Sequence, residues 1–157
     1  MKFMPLSNPV RLDLRHLHAL TRKLEGKERA FLDWLEYVPA VVWCKNYADG
    51  GRVVFISKEY ARLWPDRAYN YVGYFDEGNW PPEIAAQFRK NDMAVLANRE
   101  LIDTIEDTPG SVDPEWNRIR VIKFPIWSSD HHNADADPTM VGGIGLKLGE
   151  HDDPHEA

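Results

Sequence analysis

Leu14, Leu17, Leu20 and Leu24 fall three or four residues apart, with Arg15, Arg22 and Lys23 on the other face, the pattern of an amphipathic helix. Beyond Gly26 the spacing resumes with Phe31, Trp34, Leu35 and Val38, and Leu17, Leu24, Phe31 and Val38 keep a seven-residue period across the break. A heptad seam suits pairing with a second chain; an apolar stripe equally suits covering one edge of the protein's own sheet. Residues 1–37 are therefore read as a helical cap or a dimerisation segment. Pro39 ends it, because proline lacks an amide donor and disfavours helical geometry in the residue before it.

From Val41 the pattern becomes that of strands. Val41 to Lys45 and Arg52 to Ser57 are rich in β-branched and aromatic residues, and Asn46-Tyr47-Ala48-Asp49-Gly50-Gly51 joins them with the glycines a tight turn needs. Ser57 is placed to cap a short helix, Lys58 to Leu63, which Pro65 ends. Residues 65–81 are rich in Tyr, Asn, Gly and Pro and read as a lobe of short turns. With Asn79 as a cap and Pro82 in the first turn, Glu83 to Asn98 reads as a full helix presenting Ile84, Phe88, Val95 and Leu96 on one face. Leu101 to Glu106, Trp116 to Trp127 and Met140 to Leu148 read as three more strands, the last with glycines at 142, 143 and 145 that would admit another backbone closely. Residues 150–157 read as a flexible tail. This segregation predicts an α+β fold, a five-stranded antiparallel sheet with helices on one face.

Composition narrows the picture. A chain of 157 residues supports one core, and 43% hydrophobic residues, six of them Trp, supply the apolar area to fold it. A net charge of -6 with mixed signs predicts no nucleic-acid partner, since phosphate binding needs clustered cations. Cys44 is the single cysteine, so neither an internal disulfide nor a thiolate-rich metal site is expected, and a reducing, cytoplasmic setting fits. No apolar run reaches the roughly 18 residues of a membrane span, and MKFMPLSNPVRLDLR lacks the apolar core of a signal peptide. Neither export nor membrane insertion is expected.

Short motifs accompany the order of elements: Tyr37-Val38-Pro39-Ala40-Val41-Val42-Trp43 opening the first strand, Val54-Phe55-Ile56-Ser57 before Glu59-Tyr60-Ala61, and Gly73 in the lobe. Asp92-Met93-Ala94-Val95-Leu96 on the long helix, Lys123-Phe124-Pro125-Ile126 on the fourth strand and Gly142-Gly143-Ile144-Gly145 on the fifth follow. Together, over residues 35–149, they resemble the PAS family of sensory domains. The resemblance implies a PAS-like sensor domain at 38–149 that binds a small ligand or cofactor between long helix and sheet, or senses through a partner, and strains its flanking helices. Such domains often end in Asp-Ile-Thr leading into an output helix, whereas Lys147-Leu148-Gly149 stands here before an acidic tail. Output is then expected through the N-terminal helices, a homodimer rearrangement, or a separate signalling protein.

The same resemblance implies no specific cofactor. Haem-binding members use a histidine on the long helix, and residues 82–98 contain none; flavin-adduct members use an Asn-Cys-Arg cysteine near the short helices, and Cys44 lies on the first strand. Both groups are disfavoured, and Cys44 reads as a small buried hydrophobe.

Asp92 projects between Phe88, Val95 and Ala85 on the apolar face of the long helix. A carboxylate there needs a partner, with Arg118, Arg120, Lys123 or lobe amides as candidates; it either pins helix to lobe or meets a ligand. Arg118 and Arg120 share one face of their strand and either bind an anionic ligand or face solvent. Trp43, Tyr74, Met93 and Trp127 either line a cavity or fill a core. His131-His132 with Asp135 and Asp137, and His151 to His155, offer only adventitious metal contacts. No catalytic triad, phosphate loop or zinc-protease motif occurs, so a non-enzymatic regulatory module is expected. Its rivals are an interaction or dimerisation module with a filled core and, third, a small enzyme using Asp92 as a base, which would require Asp92 in an open cleft with a raised pKa.

Overall fold

The computed structural model describes residues 40–127 and 136–149. The amphipathic stretches before Pro39, the His131-His132 tract and the tail from Glu150 lie outside the described residues, as does the boundary drawn at residue 37.

Strand β1, Val41–Asn46, and strand β2, Arg52–Ile56, form an antiparallel hairpin. Its loop is a 3-10 turn, Tyr47–Asp49, with the Asn46 side chain accepting from the Ala48 amide, and it exits through Gly50 (φ 66°) and Gly51 (φ 91°), a conformation that glycine enters without steric cost. Ser57 caps helix α1, Lys58–Leu63, its hydroxyl accepting from the Tyr60 amide. Pro65 does more than end α1, since it opens a second short helix, α2, Pro65–Ala68, where its missing donor costs nothing. A 3-10 turn at Asp76–Gly78 precedes helix α3, Pro82–Asn98. Asn79 does not cap α3: Pro81 holds the cap position, and the Asn79 amide donates to the Phe75 carbonyl.

Strands β3, Ile102–Asp107, β4, Arg118–Ile126, and β5, Met140–Lys147, complete a sheet of order β2-β1-β5-β4-β3 with every neighbouring pair antiparallel. The helices cover one face, where Val41, Trp43, Val53 and Val121 meet Leu63, Trp64, Ile84 and Phe88. This is the α+β architecture that the pattern predicts.

The last strand lies in the middle of the sheet, between β1 and β4. Its glycines make room for side chains rather than for another backbone. A Cβ on Gly143 would stand 2.2 Å from Trp43 Cζ2, and one on Gly142 would stand 2.5 Å from Phe124 Cε2. Trp43 is the direct cross-strand partner of Gly143, so its indole lies across β5 on the helix-covered face. On the other face Val42, Val54 and Phe55 form a second buried cluster, joined by Cys44, Met140 and Ile144. Among the described residues no helix is long and apolar enough to cross a membrane.

Candidate functional site

Alternation along the strands sets the site. In β1 the inward positions are Val41, Trp43 and Lys45, and in β4 they are Ile119, Val121 and Lys123, all buried. Each strand thus ends its apolar series with an ammonium aimed into the core. Asp92, on the inner face of α3 and 0% exposed, lies between the two. Lys45 Nζ donates to Asp92 Oδ2 at 3.0 Å and to Asp76 Oδ2 at 2.6 Å. Lys123 Nζ stands 2.8 Å from Asp92 Oδ1 and 2.6 Å from Glu106 Oε1 of β3. The Tyr47 hydroxyl donates to Asp92 Oδ2 at 2.5 Å, the Tyr71 hydroxyl donates to Asp76, and Asn91 Nδ2 donates to Glu106 Oε1 at 2.7 Å. The Lys123 contact with Oδ1 is an ion pair rather than an aligned hydrogen bond, since that oxygen has no hydrogen-bond partner.

Five buried ionisable side chains from five different elements therefore form one chain of ion pairs: Asp76, Lys45, Asp92, Lys123, Glu106. Burial alone would push the Asp92 carboxyl up, but the charges of Lys45 and then Lys123 outweigh it and hold the group at about 2. Burial likewise works to lower Lys45, and Asp92 and Asp76 outweigh it, keeping that ammonium charged well above its ordinary range. The Tyr47 phenol is pushed up by burial first and by the Asp92 charge next, so it stays a donor. A general-base role for Asp92 requires the opposite of what is seen, an exposed carboxyl with a raised pKa.

Beside this chain lies a cavity with about 20 Å³ open to water, room for a water molecule or two. Lys45, Lys123, Glu106 and Thr108 line it on the polar side, and Trp43, Tyr60, Trp64, Tyr71, Trp80 and Phe88 supply aromatic walls. The rings brace one another, with Trp80 edge-on to Phe88 at 5.1 Å and Tyr60 stacked on Tyr71 at 5.7 Å. Trp80 Nε1 is buried without a hydrogen-bond partner.

Of the seven residues singled out from sequence, Trp43 lines the cavity and Asp92 contacts both lysines of its lining. Tyr74, Met93 and Trp127 are exposed and lie outside the lining. Arg118 and Arg120 occupy the outward positions of β4, where Arg118 lies 3.7 Å from Asp107 and Arg120 holds Asp103 through two hydrogen bonds of 2.6 and 2.8 Å. These five do not converge with Trp43 and Asp92: strand phase turns Arg118 and Arg120 outward and helix phase turns Met93 outward, while Tyr74 lies in the lobe and Trp127 follows the end of β4. Sequence reasoning passed over Lys45, Asp76 and Glu106. The readable signal was a lysine in the apolar phase of each of two strands, opposite an aspartate on the apolar face of a helix. Among the described residues no cluster of His, Cys, Asp and Glu suits a metal ion. Cys44 lies in β1 next to the second cluster, and burial pushes its thiol up to about 12, which leaves it an unreactive hydrophobe at neutral pH.

No family model and no curated protein matches the chain. Solved structures do. The phage VqmA–DPO complex aligns at a TM-score of 0.62 and 14% identity over 82% of this chain and 56% of that one. The Vibrio cholerae VqmA–ligand–DNA complex aligns at 0.58 and 20% over 79% and 52%. The PAS domain of Bordetella pertussis BvgS aligns at 0.55 and 13% over 81% and 90%. Likeness at these identities is likeness of fold, and the fold is the PAS fold. The chain spans little more than half the length of the VqmA structures it matches.

The expectation of no nucleic-acid partner is corrected by these neighbours, since a VqmA of this fold is seen in complex with DNA. Net charge speaks only for the residues it counts. An acidic chain spanning half of such a protein is no guide to what the other half contacts.

Proposed function

We propose that this chain is a sensory PAS module that takes a small ligand into the chamber between α3 and the sheet, and that it regulates rather than catalyses. The observation that carries the reading is the meeting of five buried charges from five elements beside an aromatic-walled cavity. Buried ion pairs are a poor way to stabilise a core, because desolvation offsets most of their attraction. They are a good way to make a core respond, because a polar ligand competes for the same donors and acceptors. A ligand that takes one bond from Lys123 or Glu106 acts on β3 and β4 together; one that takes a bond from Lys45 acts on the lobe through Asp76. Such a shift is driven by the difference in the ligand's affinity for the two arrangements. VqmA, which aligns with this fold, is seen bound to DPO, and that supports a ligand-binding reading. A single cysteine fits action in the cytoplasm.

The small volume of the cavity favours a second reading, an interaction module with a filled core. A thermal-shift screen of metabolite-sized polar heterocycles separates the two. The sensor reading predicts ligands that raise the melting temperature of the full chain and lose that effect in Val41→Phe, which adds a ring to the lining. A screen in which nothing raises it, or in which Val41→Phe responds equally, supports the filled core.

A further inference from the structure

We propose that Tyr71 is a redox-active phenol: a one-electron oxidant draws its electron out through Tyr60, Trp64 and Trp116, while its proton passes to Asp76. The core thereby answers radical oxidants without any ligand. Tyr71 is 1% exposed, and its hydroxyl donates to Asp76 Oδ1, itself buried. Its ring stacks on Tyr60 at 5.7 Å, Tyr60 lies 5.1 Å from Trp64, and Trp64 meets Trp116 edge-on at 6.3 Å, centroid spacings of rings in direct contact. Trp116 is only partly buried, at the margin of the core, so the rings lead from a buried phenol to the surface in short steps. A cluster of rings alone is core filling. A phenol hydrogen-bonded to a carboxylate adds a place for the proton, and of the two stacked phenols Tyr71 is the one whose hydroxyl donates to Asp76.

Electrons and protons balance. The oxidant, a diffusible radical such as carbonate or peroxyl, takes one electron from the Trp116 indole and is reduced. Trp64, Tyr60 and Tyr71 in turn refill the ring ahead of them. The Tyr71 O–H bond breaks as the last electron leaves, and its proton bonds to Asp76 Oδ1. A phenol that loses an electron becomes a strong acid, so a carboxylate already within hydrogen-bond reach takes the proton without rearrangement. The products are the reduced oxidant, a neutral Tyr71 phenoxyl radical and a protonated Asp76. Asp76 also accepts from Lys45 Nζ at 2.6 Å, and a neutral carboxyl attracts that ammonium far less than a carboxylate does. Oxidation therefore loosens Lys45 from the Asp76–Gly78 turn that precedes α3 and leaves it to Asp92.

The test is photo-oxidation of the full chain by tris(bipyridine)ruthenium(II) with a cobalt(III) ammine as electron acceptor, followed by freezing and electron paramagnetic resonance. Tyr69 and Tyr74 are exposed and are oxidised directly, and Tyr37 lies outside the described residues, so Tyr37→Phe, Tyr69→Phe and Tyr74→Phe together make the parent chain. The expected result is a phenoxyl signal that nickel–EDTA, a paramagnetic broadener confined to solvent, leaves sharp. That signal is lost in Tyr71→Phe and falls in yield in Trp116→Phe. A signal broadened by nickel–EDTA, one that survives in Tyr71→Phe, or a tryptophanyl signal or none in the parent would overturn the proposal. An undiminished yield in Trp116→Phe would overturn its route. Should Tyr71→Phe fail to fold, electron–nuclear double resonance of the parent in H2O and D2O decides. The Tyr71 radical keeps an exchangeable hydrogen bond from protonated Asp76, and a buried phenoxyl without one contradicts the assignment.

Discussion

Asp92 holds two lysines at once, each through a different oxygen. Replacing it with asparagine leaves the buried Lys45 and Lys123 facing a neutral amide. Loss of one partner from a buried pair costs about 3–5 kcal/mol, so Asp92→Asn is expected to lower the urea midpoint sharply, whereas Asp103→Asn at the half-exposed Arg120 pair is expected to leave it nearly unchanged. Equal effects of the two would remove Asp92 from its central place. The pH dependence has a definite sign. The Asp92 carboxyl is held at about 2 in the folded chain against 3.8 ordinarily, so the unfolded chain binds the proton first as pH falls. Its stabilising contribution is complete above about pH 4 and is lost as pH falls towards 2, roughly 2 kcal/mol in all. Acid unfolding curves should show this loss in the natural chain and not in Asp92→Asn. Lys45 has the opposite sign: raised in the folded chain, it contributes below about pH 10 and loses that contribution above it. At this scale Asp92 was legible from sequence because a carboxylate on an apolar helix face demands a partner, and Lys123 was among the candidates. Lys45, Asp76 and Glu106 were not, because a lone charge in a short strand or turn looks the same whether it faces water or a counter-charge.

Gly143 lets the core side of β5 receive the Trp43 indole, which in turn walls the cavity. Gly143→Ala would drive a methyl to 2.2 Å from Trp43 Cζ2, so the indole must move or the strands must part. Overpacking of this kind costs about 1–3 kcal/mol. The variant is expected to melt at lower temperature and to show an altered near-ultraviolet circular dichroism band from displaced Trp43; a native melting temperature and spectrum would place the indole elsewhere. The elements themselves were legible because their signals are local: Ser57 caps α1, Gly50 and Gly51 turn the hairpin, and the periodicity of α3 spans its full length. The central place of β5 was not. Strand order depends on pairings between residues about a hundred positions apart, such as Trp43 with Gly143, and no local pattern encodes them. The glycines misdirected in the same way: their smallness was plain, but not whether a backbone or a ring would use it.

Across the whole molecule, the sheet carries an apolar cluster on each face, and the ion-pair chain lies only on the helix-covered one. The division of labour follows: Val42, Val54 and Phe55 pack without charge on one side, while the other combines apolar packing with buried ion pairs. The PAS fold was legible from the order of elements, and the chemistry of its interior only once the strands were in register. The central claim, that this interior is a ligand site, is tested most directly by native mass spectrometry of the purified full chain beside a denatured control, before and after incubation with an extract of small metabolites. The account predicts a discrete small-molecule excess per chain that vanishes on denaturation and is reduced in Val41→Phe. A bare chain mass in both native spectra would contradict it and leave the filled-core module in its place.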